Sequence, residues 1–222
     1  MDLDTVGGKN AFSELIHEFG SGQLDILVGT QMVTTGLDFE KVSLVGVLSA
    51  DQLLYYPDFR AAERAFQLMT QVSGRAGRRE TVGRVLIQTF RPDHQVLKEV
   101  IDKNFTSFFY RELQERKDFQ YPPFYRLIKI TLKHKDARLL NEATKIFIAP
   151  LIEKLGDRVK GPSVPSIPRI RNQYIMDILI KSEKDGKISA HSKQLVLRVK
   201  SYLLSQKGFG GVRVNIDVDP YY

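Results

Sequence analysis

Asp58-Phe59-Arg60-Ala61-Ala62-Glu63-Arg64-Ala65-Phe66-Gln67-Leu68-Met69-Thr70-Gln71-Val72-Ser73-Gly74-Arg75-Ala76-Gly77-Arg78 reads as one long helix, from about Asp58 to Gly77. At 100° per residue Phe59, Ala62, Phe66 and Met69 fall on one arc and are expected to face a sheet. Arg60, Arg64, Gln67, Gln71, Arg75 and Arg78 follow at spacings of 4, 3, 4, 4 and 3, so they line the opposite side. Apart from Glu63 this row has no matching acid, which is unusual for a simply solvated face. Gly74 and Gly77 each weaken a helix by about 1 kcal/mol against Ala, and close approach of the backbone to a ligand or a neighbouring domain is one reason to keep them. Arg75 and Arg78 would then point together at one anion. A surface helix with i,i+4 pairs and a frayed glycine end is the plainer alternative.

The segments on either side make this an α/β region. Asn10 to Phe19 carries Phe12, Leu15, Ile16 and Phe19 at helical spacing, and Gly20-Ser21-Gly22 stops it. Leu24 to Val28 reads as a short buried strand, followed by a turn and a brief helix from about Gln31. Val42 to Leu48 and Val85 to Thr89 read as two further strands. Strands separated by helices imply a mostly parallel sheet with its ligands at the carboxyl ends of the strands.

From Pro92 the pattern changes. His94 to Ile101 and Phe105 to Phe119 read as helices, the second with Arg111, Glu112, Glu115, Arg116 and Lys117 on its polar side. Pro122-Pro123 forbids helix, so Gln120 to Phe124 is taken as a linker. Beyond it lie a strand (Tyr125 to Lys133), an amphipathic helix with Pro150 as an expected kink (Ala137 to Leu155), and an edge strand opened by Val159-Lys160-Gly161-Pro162. A basic turn (Ile167 to Gln173), a strand (Tyr174 to Lys181), a helix (Ser189 to Gln206) and a strand (Val212 to Val218) follow. That βαββαβ order is the ferredoxin-like α+β arrangement. The expected domains are therefore 1–95, a helical connector at 96–123, and 124–222.

Charge divides at the same place. The chain of 222 residues carries +7, but residues 1–95 hold 9 basic and 12 acidic side chains while residues 96–222 hold 24 and 14, a net of +10. A basic second unit suits a polyanion, although a lysine-rich surface also serves solubility. In the basic turn, Arg169 and Arg171, with Lys160 behind and Tyr174 beside them, have the composition of a groove for single-stranded nucleic acid. The alternative is a solvated hairpin tip with Tyr174 in the core. With 0 Cys, disulfides and thiolate metal sites are excluded within the chain, and His17, His94, His134 and His191 are too dispersed for a local metal motif. No apolar run approaches the ~18 residues of a membrane span, so no membrane partner is expected.

Gln71-Val72-Ser73-Gly74-Arg75-Ala76-Gly77-Arg78 resembles the Q-x-x-G-R-x-G-R sixth motif of superfamily-two helicases, and Gly29-Thr30-Gln31-Met32 with Gly36-Leu37-Asp38-Phe39 resembles their fifth. Joined by Asp58 to Arg64 and followed by a basic unit ending Asp217-Val218-Asp219-Pro220, they resemble the bacterial primosomal replication-restart helicases over essentially the whole chain. That resemblance implies a RecA-like second helicase lobe, ATP with Mg²⁺ in the parent enzyme, and a bacterial cytoplasmic, nucleoid-associated setting. It makes Arg75 and Arg78 arginine fingers and Gln71 a group that positions the phosphate or its attacking water. Gly36 and Asp38 fall near the nucleotide, and Thr30 and Gln31 at the DNA backbone. Implied partners are single-stranded and branched DNA, the acidic tail of single-stranded-DNA-binding protein, and other primosome proteins.

The chain has no G-x-x-x-x-G-K-[ST] loop and no acidic strand end for Mg²⁺. Gly7-Gly8-Lys9 is a superficial echo that lacks the upstream glycine and is followed by Asn10. The resemblance places the first lobe and a zinc-binding insertion ahead of Met1, so a C-terminal piece that hydrolyses no ATP alone is expected. A non-enzymatic nucleic-acid-binding module and another superfamily-two translocase are the alternatives.

Overall fold

The computed structural model describes residues 9–29, 42–74 and 83–220. Two compact units, Met1–Glu112 and Leu113–Tyr222, divide the chain.

In the first unit, helix α1 (Lys9–Ser21) ends where Gly22 takes φ 81°. Gly22 N–H reaches Phe19 O and Gln23 N–H reaches Glu18 O, the paired bonds that satisfy the last carbonyls of a helix through a left-handed residue. The strand expected at Leu24 to Val28 is absent. Ile26 and Val28 are 78% and 64% exposed, and no described strand pairs with this run. Strands β1 (Leu44–Val47) and β2 (Arg84–Ile87) form, and they pair in parallel with Val45 opposite Val85 and Val47 opposite Ile87. Helix α2 (Asp51–Leu54) follows β1. The Asp51 carboxylate accepts from Thr89 Oγ1 at 3.0 Å and Phe90 N at 3.1 Å, which ties the residues after β2 to the start of α2.

Helix α3 (Ala61–Ser73) is shorter than the expected span, and its buried arc is Ala61, Ala65, Phe66, Met69 and Val72. Asp58 causes the difference. Its Oδ1 accepts from Arg60 N, its carbonyl accepts from Ala61 N, and its Oδ2 lies 3.0 Å from Arg64 Nη2. Residues 58–60 are thus a turn outside the helix, and Phe59 drops out of the packing arc. The arginine row is also less bare of acids than expected, because buried Asp58 faces Arg64 and Glu63 accepts from Gln67.

Helices α4 (Gln95–Ile101) and α5 (Phe105–Asp118) complete the first unit's core instead of standing apart in a connector. Val96, Leu97, Val100 and Phe108 pack with Phe66 and Met69, and the Phe66 and Phe108 rings stack at 4.1 Å. His94 caps α4, its Nδ1 accepting from Val96 N. On α5 the expected polar face is corrected at Glu112, which is buried. Arg111 turns inward to Glu99, itself 2% exposed, giving Nε to Oε1 at 3.1 Å and Nη2 to Oε2 at 2.7 Å. The division between the units falls within α5, after Glu112.

The second unit forms as the alternation predicts. Strand β3 (Tyr125–His134) is followed by helix α6 (Ala137–Leu155), a 3₁₀ turn and strand β4 (Val159–Ser163). Then come β5 (Arg169–Ile170), β6 (Gln173–Glu183), helix α7 (Gly186–Ser205) and β7 (Arg213–Val218). The sheet order β4-β6-β3-β7, antiparallel throughout, is ferredoxin-like, with β5 added as a hairpin on β6. Ile128, Ile130, Leu132, Ile178, Ile180 and Val214 point to one face and pack against Phe147, Leu151, Val196 and Leu203 of the two helices. Asp136 and Asp185 cap α6 and α7, each accepting two first-turn amides. The Asp185 cap starts α7 three residues before the expected Ser189, in spite of Gly186. Helix α6 is one continuous element through Pro150.

Two sites carry stability predictions. Burial pushes the Glu99 carboxyl up, but hydrogen bonds and charge from Arg111, with bonds from Gln95 and Ser107, bring it below the ordinary glutamate value. The stability it contributes is present above about pH 4.3 and is lost as pH falls through the lowered value. Arg111→Ala should cost about 3–5 kcal/mol at neutral pH, read by urea unfolding and by hydrogen exchange of the α4 amides. That cost should shrink in acid as the stranded carboxylate takes up a proton. Gly161, in the bulge of β4, has φ 104°, and a Cβ there would lie 3.0 Å from Asp177 O and 3.2 Å from Ser163 N. Gly161→Ala should therefore cost about 1–3 kcal/mol and lower exchange protection along the β4–β6 ladder, while leaving α3 unchanged.

Candidate nucleic-acid interface

The basic turn is a two-residue hairpin. Arg169 pairs with Tyr174 and Ile170 with Gln173, leaving Arg171 and Asn172 at the tip with φ of 47° and 61°. Positive φ at both central residues suits the right-handed twist of the flanking strands, and Asn tolerates that conformation well. At the tip Arg169 Nη2 donates to Asn172 Oδ1. The Arg169 guanidinium carbon stands 4.9 Å from the centre of the Tyr174 ring. Tyr174 itself is half-buried against the core beneath α6 and α7. Both features of the plainer alternative are present: the tip is exposed, and the tyrosine is partly core. Its ring supports Arg169 and is not a free stacking surface. Asn172 was not among the expected site residues, although Arg-Asn between two strand runs is a signal for such a turn.

Arg171 is exposed at the tip with its charge outward. A planar guanidinium held over an aromatic ring beside a second exposed arginine can bind phosphate oxygens in bidentate fashion. Such contacts fix position and carry no base sequence.

Lys160 does not join this cluster. It pairs with Leu179 on β6, whereas Arg169 pairs with Tyr174, so the two lie on opposite faces of the sheet. Five residues of strand also separate them, about 17 Å along β6. What Lys160 does neighbour is Lys181. That amine is buried, donates to Phe119 O at 2.7 Å and sits 3.5 Å from the Tyr121 ring centre. Burial, then the charge of Lys160, lowers its pKa below the ordinary lysine value. Lys181 was legible only as the end of an apolar run.

In the first unit, Thr30, Gln31, Gly36, Asp38, Arg75 and Arg78 lie outside the described residues. Gln71 is on the exposed side of α3, two turns beyond Arg64. Gly74 ends α3 with its N–H bonded to Thr70 O. Its φ is −72°, and an added Cβ would meet backbone oxygens at an ordinary 3.6 Å. Nothing within α3 thus demands glycine at 74. Among the described residues no group of three His, Asp or Glu side chains is arranged to hold a metal ion, and no helix is long and apolar enough to cross a membrane.

Two family models match in tandem. Residues 8–80 match the helicase conserved C-terminal domain, and residues 117–221 match the primosomal protein N C-terminal domain. The replication restart protein PriA of Bacillus subtilis is 41% identical over 100% of this chain and 27% of its own length. That of Synechocystis is 40% identical over 99% of the chain and 26% of its own length, and that of Treponema pallidum 38% over 93% and 31%. The chain spans roughly a quarter to a third of the relatives it matches. With a parallel α/β unit in the helicase region, a ferredoxin-like unit in the primosomal region, and relatives whose alignments cover 93–100% of this chain, the chain belongs to the PriA family of replication restart proteins.

Proposed function

We propose that the chain acts as the second motor lobe and C-terminal binding domain of an ATP-dependent 3′→5′ DNA helicase, working at stalled or branched forks in primosome assembly and replication restart. The observation that carries this reading is the ordered pair of domains, with Gln71 to Arg78 closing the helicase match and a basic unit following it. In the proposed mechanism ATP and Mg²⁺ are held chiefly by another lobe of the parent. Arg75 and Arg78 approach the γ-phosphate, where permanently charged guanidinium groups offset developing negative charge. Gln71 orients the phosphate or its attacking water, and Gly36 and Asp38 lie along the nucleotide side. Thr30 and Gln31 grip the strand backbone, the hydroxyl of Thr30 donating to a phosphate oxygen.

The hairpin supplies a second contact with DNA through Arg169 and Arg171, and Lys160 belongs to a separate basic face of the same sheet. That basic surface also suits the acidic tail of single-stranded-DNA-binding protein. Single-stranded and branched DNA and other primosome proteins complete the proposed set of partners.

Two measurements test the reading. Replacing Arg169 and Arg171 together with Ala should weaken binding of unrelated single strands to a similar degree. It should also flatten the salt dependence by about one counterion per lost phosphate contact. Unchanged affinity would remove the hairpin from the interface. The chain by itself should hydrolyse no ATP above background, whereas replacing the arginine that matches Arg78 in a full-length relative should lower ATPase by about 10³-fold or more. Turnover by the chain alone that Arg78→Ala abolishes would overturn the division of labour between lobes. Full ATPase in the full-length variant would overturn the arginine-finger role and favour a non-enzymatic binding module.

A further inference from the structure

A cavity of about 410 Å³ opens where the end of β6 meets the start of α7, at the far end of that strand from the hairpin. Ile128 and Val218 form part of its apolar wall, and Lys184 and Lys193 stand in its lining with Ser182 and Ser189. The Ser182 side chain is wholly buried, and its Oγ has no hydrogen-bond partner in the structure. A buried hydroxyl left without a partner is destabilising, so its retention beside a cavity asks for something to bind there. Arg126 also lines the space but is held by Asp219, and the Asp185 carboxylate is turned to the Lys187 and Ile188 amides. Neither Lys184 nor Lys193 forms an ion pair within 4 Å among the described residues; Lys193 shares the field of Asp219 with Arg126, so Lys184 and part of the Lys193 charge are left to the cavity.

We propose that this cavity binds a terminal phosphate monoester, with Ser182 Oγ–H as the inner donor and Lys184 and Lys193 as the counter-charges. Three features select that group. A monoester carries close to two negative charges and three strong acceptor oxygens, which matches two lysines and a hydroxyl donor better than a single carboxylate does. Ser182 has no exposed surface, so its hydroxyl is reached only when the side chains above it shift aside, and then by the end of a chain and not by a link in a strand passing by. The start of α7 adds the favourable end of a helix dipole, although its own Asp185 already occupies two of the amides. The phosphate could be that of a nucleic-acid end or of a free nucleotide. The first source rests on the nucleic-acid reading proposed above, and the second does not.

The test uses the 222-residue chain. Inorganic phosphate titrated into ¹⁵N-labelled protein should shift the amides of Ser182, Lys184 and Gly186, and Ser182→Ala or Lys184→Gln with Lys193→Gln should abolish those shifts. In fluorescence anisotropy, single strands with a 5′- or 3′-phosphate should bind roughly tenfold more tightly than the same strands with hydroxyl ends. The variants should lose that preference while keeping the affinity for hydroxyl-ended strands. If neither end phosphate raises affinity while adenosine monophosphate shifts the same amides, the source is a free nucleotide. If no strand binds at all, the nucleic-acid reading fails while the phosphate titration still decides the site. Ser182→Ala should not lower the melting temperature, because it removes a hydroxyl without a partner. A lower melting temperature, or no amide shift with either phosphate or adenosine monophosphate, would overturn the proposal. Shifts at these amides with an acidic peptide bearing a free C-terminus, but not with phosphate, would do the same and assign the cavity to a protein partner.

Discussion

The ten-pair antiparallel ladder between β3 and β6, from Tyr125 opposite Glu183 to His134 opposite Tyr174, is the constraint on which the second unit depends. Because side chains alternate with a period of two, this one register decides which residues meet α6 and α7 and which face away. It sends Ile128, Ile130, Leu132, Ile178 and Ile180 to the helices, and it sends Lys129, Asp177, Leu179 and Lys181 to the other face. Lys160 and Arg169, which pair with β6, inherit their sides of the sheet from that register. A slip by one residue would bury Lys129 among the isoleucines, at a cost no neighbouring acid could offset in that apolar layer.

The same ladder explains why one cluster expected from sequence becomes two. Arg169, Arg171, Lys160 and Tyr174 are close in composition and in the order of elements, and linear reading has no means to separate them. Pairing does. The hairpin extends β6 past the point where β4 leaves it, so Arg169 and Tyr174 sit at the strand's beginning on the helix side, while Lys160 faces outward beside Leu179. The short β4 is bent by its bulge at Gly161, where the backbone lies too close to Asp177 for any side chain. Sequence marked Gly161-Pro162 only as the opening of an edge strand, and the close approach became visible once β6 was placed against it.

How much was legible follows from how local each cause is. The strands and helices of the second unit are written in short-range alternation and in Asp caps, and they form within a few residues of where the pattern puts them. The first unit depended more on partners distant in sequence. Leu24 to Val28 has the apolar run of a strand but forms no strand, and Ile26 and Val28 are left largely exposed. Phe59 has the spacing of a core residue, yet Asp58 uses its carboxylate on Arg60 and Arg64 and delays the helix past it. Glu99 on α4 and Glu112 on α5 look like surface acids but are buried, and a 12-residue separation hides the Glu99–Arg111 pair from any i,i+4 count. Of the candidate site, the hairpin's exposure was legible and its Asn172 support was not. The motif residues Arg75 and Arg78 rest on their pattern and on the family match, since they lie outside the described residues.

Two glycines show how differently one residue type can be justified. Gly161 is required by its own surroundings: a positive φ and two backbone atoms at about 3 Å leave no room for a Cβ. Gly74 is required by nothing within α3, since its φ is helical and its neighbours stand at ordinary contact distance. A glycine that costs helix stability without relieving strain in its own element has its reason elsewhere, in what passes close to it or in what must follow it. Gly74 closes α3 and directly precedes Arg75 in the sequence. Of the stripe that looks continuous in sequence, the part carried by α3 is tied to acids within the fold, Arg64 to Asp58 and Gln67 to Glu63, so that half of the row is not bare charge waiting for a ligand.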